Sequence, residues 1–305
     1  MQIIEQCFNN LLIDCANIYT NKAILLLPGN NACNREGGAV LSVVMKDLNL
    51  STQDFTIFLP LSEPYLESKN LLNQVHIWAV DLEHWALPCH EVVRMLPEFE
   101  KKKSERFRFE ILRTRYIKGH YLLRTLLGMY LGVDFYNQEF HINKHGKPTL
   151  KNPQAKDSIY FNMSNSENTC ICVFRQHGDI GVDIEKIQDL PDMDRIVERF
   201  FTSDEKEIFR SLPEQNRKQT FFKFWTRKES LLKAMGVGLS FPLDKVDVMT
   251  EQKKTLETFI KITGPDTESE WTLCDINVFD NFASAIAIEG KHVDCAARLR
   301  HLRFN

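Results

Sequence analysis

The sequence predicts an α+β protein built from two similar halves. Three observations carry that prediction. An apolar strand at 75–82 leads to a long helix through 116–130, a second strand at 180–184 leads to a second long helix at 214–235, and further strand-like runs follow each helix. No residue-level repeat relates the halves, so the duplication rests on element order alone.

The 305 residues, 43% hydrophobic and 26% charged, suit a soluble globular chain with a sizeable core. A net charge of −3 gives no global reason to bind nucleic acid, so an anionic ligand must be met by a local basic cluster. No apolar run approaches the roughly 20 residues that span a bilayer, and no basic segment precedes Leu11–Ile13 as a secretory signal requires. A cytoplasmic protein with neither a membrane nor a nucleic-acid partner is expected. The eight cysteines form no Cys-x-x-Cys pair, which argues against a zinc ribbon or a thioredoxin-like site. Cys170 and Cys172 share one face of an apolar strand, where packing of reduced thiols is the expectation.

Residues 1–72 hold short apolar runs, Leu11–Ile13 and Ala23–Leu27, a Gly-Asn-Asn stretch at 29–31 and Gly37-Gly38, but no motif. The main body opens at Val75–Leu82, rich in β-branched and aromatic residues and read as a buried strand. A polar, helix-favouring segment, Met95–Arg108, carries Lys101, Lys102, Lys103, Arg106 and Arg108, and fits either a solvated face or an anion site. Tyr116, His120, Leu123, Leu127 and Tyr130 then recur at helical spacing and mark one buried stripe, with Arg115 and Arg124 beside it and Gly132 as the stop. Arg115 and Arg124 are each expected to bury the stem and present the head at a cleft edge.

His145-Gly146-Lys147-Pro148 has turn chemistry. Ile159–Met163 and Thr169–Phe174 read as strands joined by a polar loop, Ser164 to Asn168. Thr202 with Glu205 fits a capping box, and a longer helix from Glu214 to Met235 ends at Gly236. Leu239–Val248, Phe259–Ile262, Trp271–Asn277 and Ala283–Glu289 read as strands, followed by a basic, peripheral tail.

The chemistry concentrates in Ile180-Gly181-Val182-Asp183-Ile184-Glu185 and in Trp225-Thr226-Arg227-Lys228-Glu229-Ser230-Leu231-Leu232-Lys233. On a strand, Asp183 and Glu185 share a face roughly 6.6 Å apart, and on a helix Glu229 and Lys233 are neighbours about 6 Å apart. If strand and helix pack together, three carboxylates and one ammonium line one cleft. Two like charges roughly 4 Å apart cost about 4 kcal/mol at an effective dielectric of 20, so the cluster calls for a cation; few hard oxygen ligands suit Mg²⁺ held through substrate phosphate. The same residues also fit a surface ion pair and the solvated face of an edge strand.

The two stretches, separated by the usual interval, resemble the signature pair of the 4′-phosphopantetheinyl transferases. Arg199-Phe200-Phe201 with Glu205, Gly146-Lys147-Pro148 and Phe161-Asn162-x-Ser164 are similar to the larger, pseudo-dimeric subclass that activates peptide and polyketide synthetases. The resemblance spans about Val75 to Ile288. It implies two α/β subdomains related by a pseudo-two-fold, each with a long helix on a mainly antiparallel sheet. It also implies transfer of the 4′-phosphopantetheine arm of coenzyme A to a carrier-protein serine, with release of adenosine 3′,5′-bisphosphate. Asp183, Glu185 and Glu229 would hold Mg²⁺, Glu229 would accept the serine proton, and Lys233 would stabilise the pyrophosphate or leaving group. Arg115, Lys147 and Ser164 match coenzyme-binding positions, and Lys101 and Lys103 lie near a basic pair. Asn165 stands where the family usually has a histidine, which predicts a weakened preference for coenzyme A over its 3′-dephospho form. Glu205 fits a near-site position and its capping role equally.

The organisation this implies is an extension without assigned role, 1–72, a coenzyme-contacting subdomain, 73–178, a metal-holding catalytic subdomain, 179–290, and the tail, 291–305. Rival readings are a non-catalytic carrier-protein binder on the same fold and another Mg²⁺-dependent phosphotransferase.

Overall fold

The computed structural model describes residues 41–47, 53–56, 75–83, 85, 87–132, 138–151, 159–238, 241–249, 257–263, 268–290 and 297–304. The runs Leu11–Ile13 and Ala23–Leu27, the glycine stretches at 29–31 and 37–38, and Cys7, Cys15, Cys33 and Cys295 lie outside these residues.

Twelve strands and six α-helices alternate along the described chain: β1 (Leu41–Asp47), β2 (Gln53–Thr56), β3 (Val75–Asp81), α1 (Cys89–Met95), α2 (Glu98–Ser104), α3 (Glu110–Leu131), β4 (Phe140–Ile142), β5 (Pro148–Leu150), β6 (Tyr160–Ser166), β7 (Thr169–Arg175), β8 (Ile180–Lys186), α4 (Met193–Phe200), α5 (Ser203–Ser211), α6 (Glu214–Met235), β9 (Glu257–Thr263), β10 (Glu268–Asp275), β11 (Phe282–Glu289) and β12 (Ala297–Phe304). One sheet has the order β2-β1-β12-β3-β7-β6 and the other β8-β11-β10-β9, with β4 and β5 forming a separate hairpin. Every neighbouring pair is antiparallel except β12 and β3.

Side-chain alternation sorts the layers. Trp78 and Val80 of β3, Leu82 just after it, and Cys170, Cys172 and Phe174 of β7 meet Leu122, Leu123, Leu126, Leu127 and Tyr130 of α3. The opposite faces of those strands, Val75, Ile77, Ala79, Ile171 and Val173, pack against Ile180, Val182 and Ile184 of β8 and Ile286 and Ile288 of β11. The remaining face of the second sheet packs on α6 through Phe221, Trp225, Leu231, Trp271 and Leu273. The result is a helix, two sheets back to back and a second helix. The two long helices are both 22 residues and end on left-handed glycines, Gly132 at φ 64° and Gly236 at φ 66°, so the two halves repeat in geometry what their sequences do not repeat in residues.

Four expectations change. Pro97 divides the polar segment, so α2 starts only at Glu98. Arg124 presents nothing at a cleft: it is fully buried, with its Nε 3.1 Å from both oxygens of the equally buried Glu100. The described part of 239–248 is not a strand but an irregular segment with a single 3-10 turn, Leu243–Lys245, because Pro242 interrupts it and its carbonyls are claimed from the side: Leu243 and Val246 by Lys228, Val248 by Arg227. The tail is not peripheral, since 297–304 runs parallel to β3 inside the first sheet.

Candidate active site

β8 and α6 meet at Gly181. A Cβ there would lie 2.1 Å from the Ser230 carbonyl oxygen and 2.4 Å from the Ala234 nitrogen, so only glycine allows strand and helix backbones this close. That approach brings Asp183 and Glu185, on the helix-facing side of β8, to Glu229 and Lys233 of α6. Asp183, Glu229 and Lys233 are 4%, 1% and 8% exposed, which removes the surface-ion-pair alternative. Lys233 Nζ donates to Asp183 Oδ1 at 2.9 Å and to Ser164 Oγ at 2.8 Å, and Ser164 donates to the same Asp183 oxygen at 3.0 Å.

The remaining oxygens are poorly served. Asp183 Oδ2 and both Glu229 carboxylate oxygens are buried without a hydrogen-bond partner. Burial, the Asp183 charge and the Glu185 charge push the Glu229 carboxyl well above its usual range against the pull of Lys233, and burial raises Asp183 against Lys233 and Ser164. Buried carboxylates that lack donors and repel one another are the donor set a hard cation would satisfy. Among the described residues no three His, Cys, Asp or Glu side chains are drawn together as a closed metal site, and Lys233 holds Asp183 Oδ1. The residues present therefore fit a divalent ion by chemistry, with Lys233 and the ion competing for Asp183.

Two family models cover this architecture in sequence. The 4′-phosphopantetheinyl transferase N-terminal model matches residues 78–176, and the 4′-phosphopantetheinyl transferase superfamily model matches 179–296. The chain is 30% identical over 220 residues to the 4′-phosphopantetheinyl transferase HetI of Nostoc sp., covering 72% of this chain and 90% of that one. The chain belongs to the 4′-phosphopantetheinyl transferase superfamily. The same relationship reaches the Sfp transferase of Bacillus subtilis, 31% identical over 56% of this chain and 71% of that one. It extends to the L-aminoadipate-semialdehyde dehydrogenase-phosphopantetheinyl transferase of Rattus norvegicus, 25% identical over 74% and 76%.

The other expected site residues of this transferase are placed less uniformly. Ser164 lies not in a loop but within β6, which runs on to Ser166 before a tight turn at Glu167-Asn168. Its hydroxyl donates to Asp183 and accepts from Lys233 and the Ile184 amide, and it is 2% exposed, which ties it to the acidic cluster. Lys147, in the β4–β5 turn, donates to Asp179 and to the Ala234 carbonyl near the end of α6. Burial lowers its ammonium against the pull of Asp179. It clamps the small hairpin to the second half while lining a cavity of about 240 Å³ with Pro148, Thr149, Leu150, Tyr160 and Phe161. Arg115 donates to Asn168 Oδ1 at 2.7 Å and to Glu167 Oε2 at 3.0 Å. Asn165 lies against Gly119, one turn beyond Arg115 on α3. Lys103 is buried with its ammonium 5.4 Å from the Tyr116 ring centre, while Lys101 is half-buried on the same helix.

Glu205 is decided by its partners. Its oxygens accept from the Thr202 amide at 2.8 Å, the Val248 amide at 2.9 Å and Lys228 Nζ at 2.8 Å, and it is fully buried. It completes the capping box and anchors the 243–248 segment. Lys228, inside the second signature stretch, serves that anchor rather than the acidic cleft.

Proposed function

We propose that this transferase moves the 4′-phosphopantetheine group of coenzyme A onto a serine of an acyl or peptidyl carrier protein, with Mg²⁺ as cofactor and adenosine 3′,5′-bisphosphate as the other product. The observation that carries the reading is the buried carboxylate pair Asp183 and Glu229, three of whose four oxygens lack a hydrogen-bond partner, beside Lys233 at the seam between the halves. Asp183, Glu185 and Glu229 would hold the ion. When bound, it supplies neutralisation of the charge that gathers on the pyrophosphate oxygens.

The chain's own residues then divide the work. Glu229 accepts the proton of the incoming serine hydroxyl, directly or through water; a carboxyl raised by burial is a better base near neutral pH than an exposed one. The serine oxygen forms a bond to the phosphorus next to the pantetheine arm as the bond to the bridging oxygen breaks, and that oxygen leaves with the adenosine bisphosphate. Lys233, a compact mobile charge, stabilises that departing oxygen. Arg115, Asn165, Lys101 and Lys103 of the first half, with Ser164 and with Lys147 beside its cavity, would meet the coenzyme's remaining phosphate and adenine. Four described cysteines, Cys89, Cys170, Cys172 and Cys274, are free thiols, which suits a reducing, cytoplasmic setting.

The test is to incubate the protein with coenzyme A, Mg²⁺ and an apo carrier protein and to weigh the carrier. A mass gain of one phosphopantetheine is expected, falling about 10² to 10⁴-fold in rate for Glu229→Ala. No gain on any acyl or peptidyl carrier refutes the reading.

A further inference from the structure

The edge strands of the two sheets, β6 and β8, lie side by side without pairing their backbones. Instead three polar side chains at alternate positions of β6 reach across to alternate amides of β8. The Val182 amide donates to Asn162 Oδ1 at 3.1 Å, the Ile184 amide to Ser164 Oγ at 3.4 Å and the Lys186 amide to Ser166 Oγ at 3.1 Å. An open strand edge is thus satisfied by a ladder of side chains. The two serines have a proton left to give, and each gives it to a carboxylate of the acidic cluster: Ser164 to Asp183 Oδ1 at 3.0 Å and Ser166 to Glu185 Oε2 at 3.1 Å. Asn162 sits in the same ladder and touches neither carboxylate.

From this arrangement we infer that Ser166 is a positioning residue for the divalent-ion site, orienting Glu185 from the opposite half of the molecule as Ser164 orients Asp183. The inference rests on the proposed ion-binding role of Asp183, Glu185 and Glu229. Its physical content is that a carboxylate held by a hydroxyl on one oxygen presents the other in a fixed direction, which lowers the ordering cost of binding an ion. The ladder fixes the hydroxyl in turn, because the Lys186 amide occupies one of its lone pairs. The first half therefore acts on the second half's ligands through β6.

The test uses the full chain with coenzyme A present and Mn²⁺ as the paramagnetic probe, alongside carrier modification measured across a Mg²⁺ series. Ser166→Ala is expected to weaken Mn²⁺ binding by about tenfold or more, and to regain its transfer rate at high Mg²⁺. Ser166→Thr, which keeps the hydroxyl, is expected to bind Mn²⁺ as the wild type does. Asn162→Ala breaks the same kind of bond to β8 and should lower thermal stability while leaving Mn²⁺ affinity in place, which separates positioning from mere edge support. Ser166→Ala with an affinity within about twofold of wild type, or Asn162→Ala weakening the ion as much, overturns the inference. Wild-type protein that binds no Mn²⁺, or whose transfer is undiminished by a chelator, overturns the ion reading itself and the inference with it.

Discussion

Replacing Glu205 by alanine separates a structural role from a catalytic one. The carboxylate accepts three hydrogen bonds, from Thr202, Val248 and Lys228, in a fully buried position. Removing one partner of a buried ion pair costs about 3–5 kcal/mol. Lys228 keeps the Leu243 and Val246 carbonyls at 2.9 and 2.6 Å, which places its share near the lower figure. Loss of the acceptor for the Thr202 and Val248 amides adds about 1 kcal/mol, for a total near 4 kcal/mol out of the roughly 5–15 that a domain commands. Chemical denaturation at pH 7 should show that loss, with near-normal transfer activity per folded molecule at low temperature. The penalty should also shrink with rising pH. Burial already lowers Lys228 despite Glu205, and without the carboxylate its folded-state pKa falls further below 10.5; the unfolded chain then binds the extra proton, so stability recovers as pH rises through the folded value. A loss below about 1 kcal/mol, or catalysis abolished in a protein of wild-type stability, would refute the reasoning.

Gly181→Ala should destabilise by more than about 3 kcal/mol or prevent soluble expression, because the new methyl group would meet backbone atoms of α6 at 2.1 and 2.4 Å and neither can yield; an unfolding midpoint near wild type would contradict it. His120 is 2% exposed, 3.4 Å from Glu100, and burial holds its imidazole below the usual 6.5. The folded state keeps it neutral, so its stabilising share is present above pH 6.5 and is lost as pH falls towards the folded value, by up to about 1.4 kcal/mol per pH unit. His120→Gln should flatten the stability profile just below pH 6.5. Asn165→His should raise the rate ratio of coenzyme A to its 3′-dephospho form by restoring a chargeable donor at that position, and an unchanged ratio would remove Asn165 from the specificity argument.

The parts of the fold that were legible in sequence are those fixed by local rules. The helix from Glu214 to Met235 begins after Pro213 and ends on Gly236, and periodicity with a left-handed glycine sufficed to bound it. The capping box at Thr202 was equally local. By contrast, β1 and β12 enter the first sheet through pairings between distant segments, and nothing within 297–304 announces a partner at Val75. Arg124 is hidden from a local reading for the same reason: its buried partner is Glu100, on a different helix. Lys228 and Arg227 show the converse, charged residues on a signature helix whose work is to hold carbonyls of an irregular segment.

Ser164 to Ser166 belong to β6 rather than to a loop. Polarity suggested a loop, yet Asn162, Ser164 and Ser166 alternate with Phe161 and Met163 in the period of a strand, and Phe161 faces the α3 core while the polar set faces β8. A strand edge that meets another edge without backbone pairing needs side-chain acceptors at every second position, and acceptors that also carry a hydroxyl proton can pass it to whatever lies beyond. What lies beyond here is Asp183 and Glu185. The requirement to close a sheet edge and the requirement to orient two carboxylates are therefore met by the same serines. The acidic cluster of the second half is thus set against the edge strand of the first, whose serines orient two of its carboxylates.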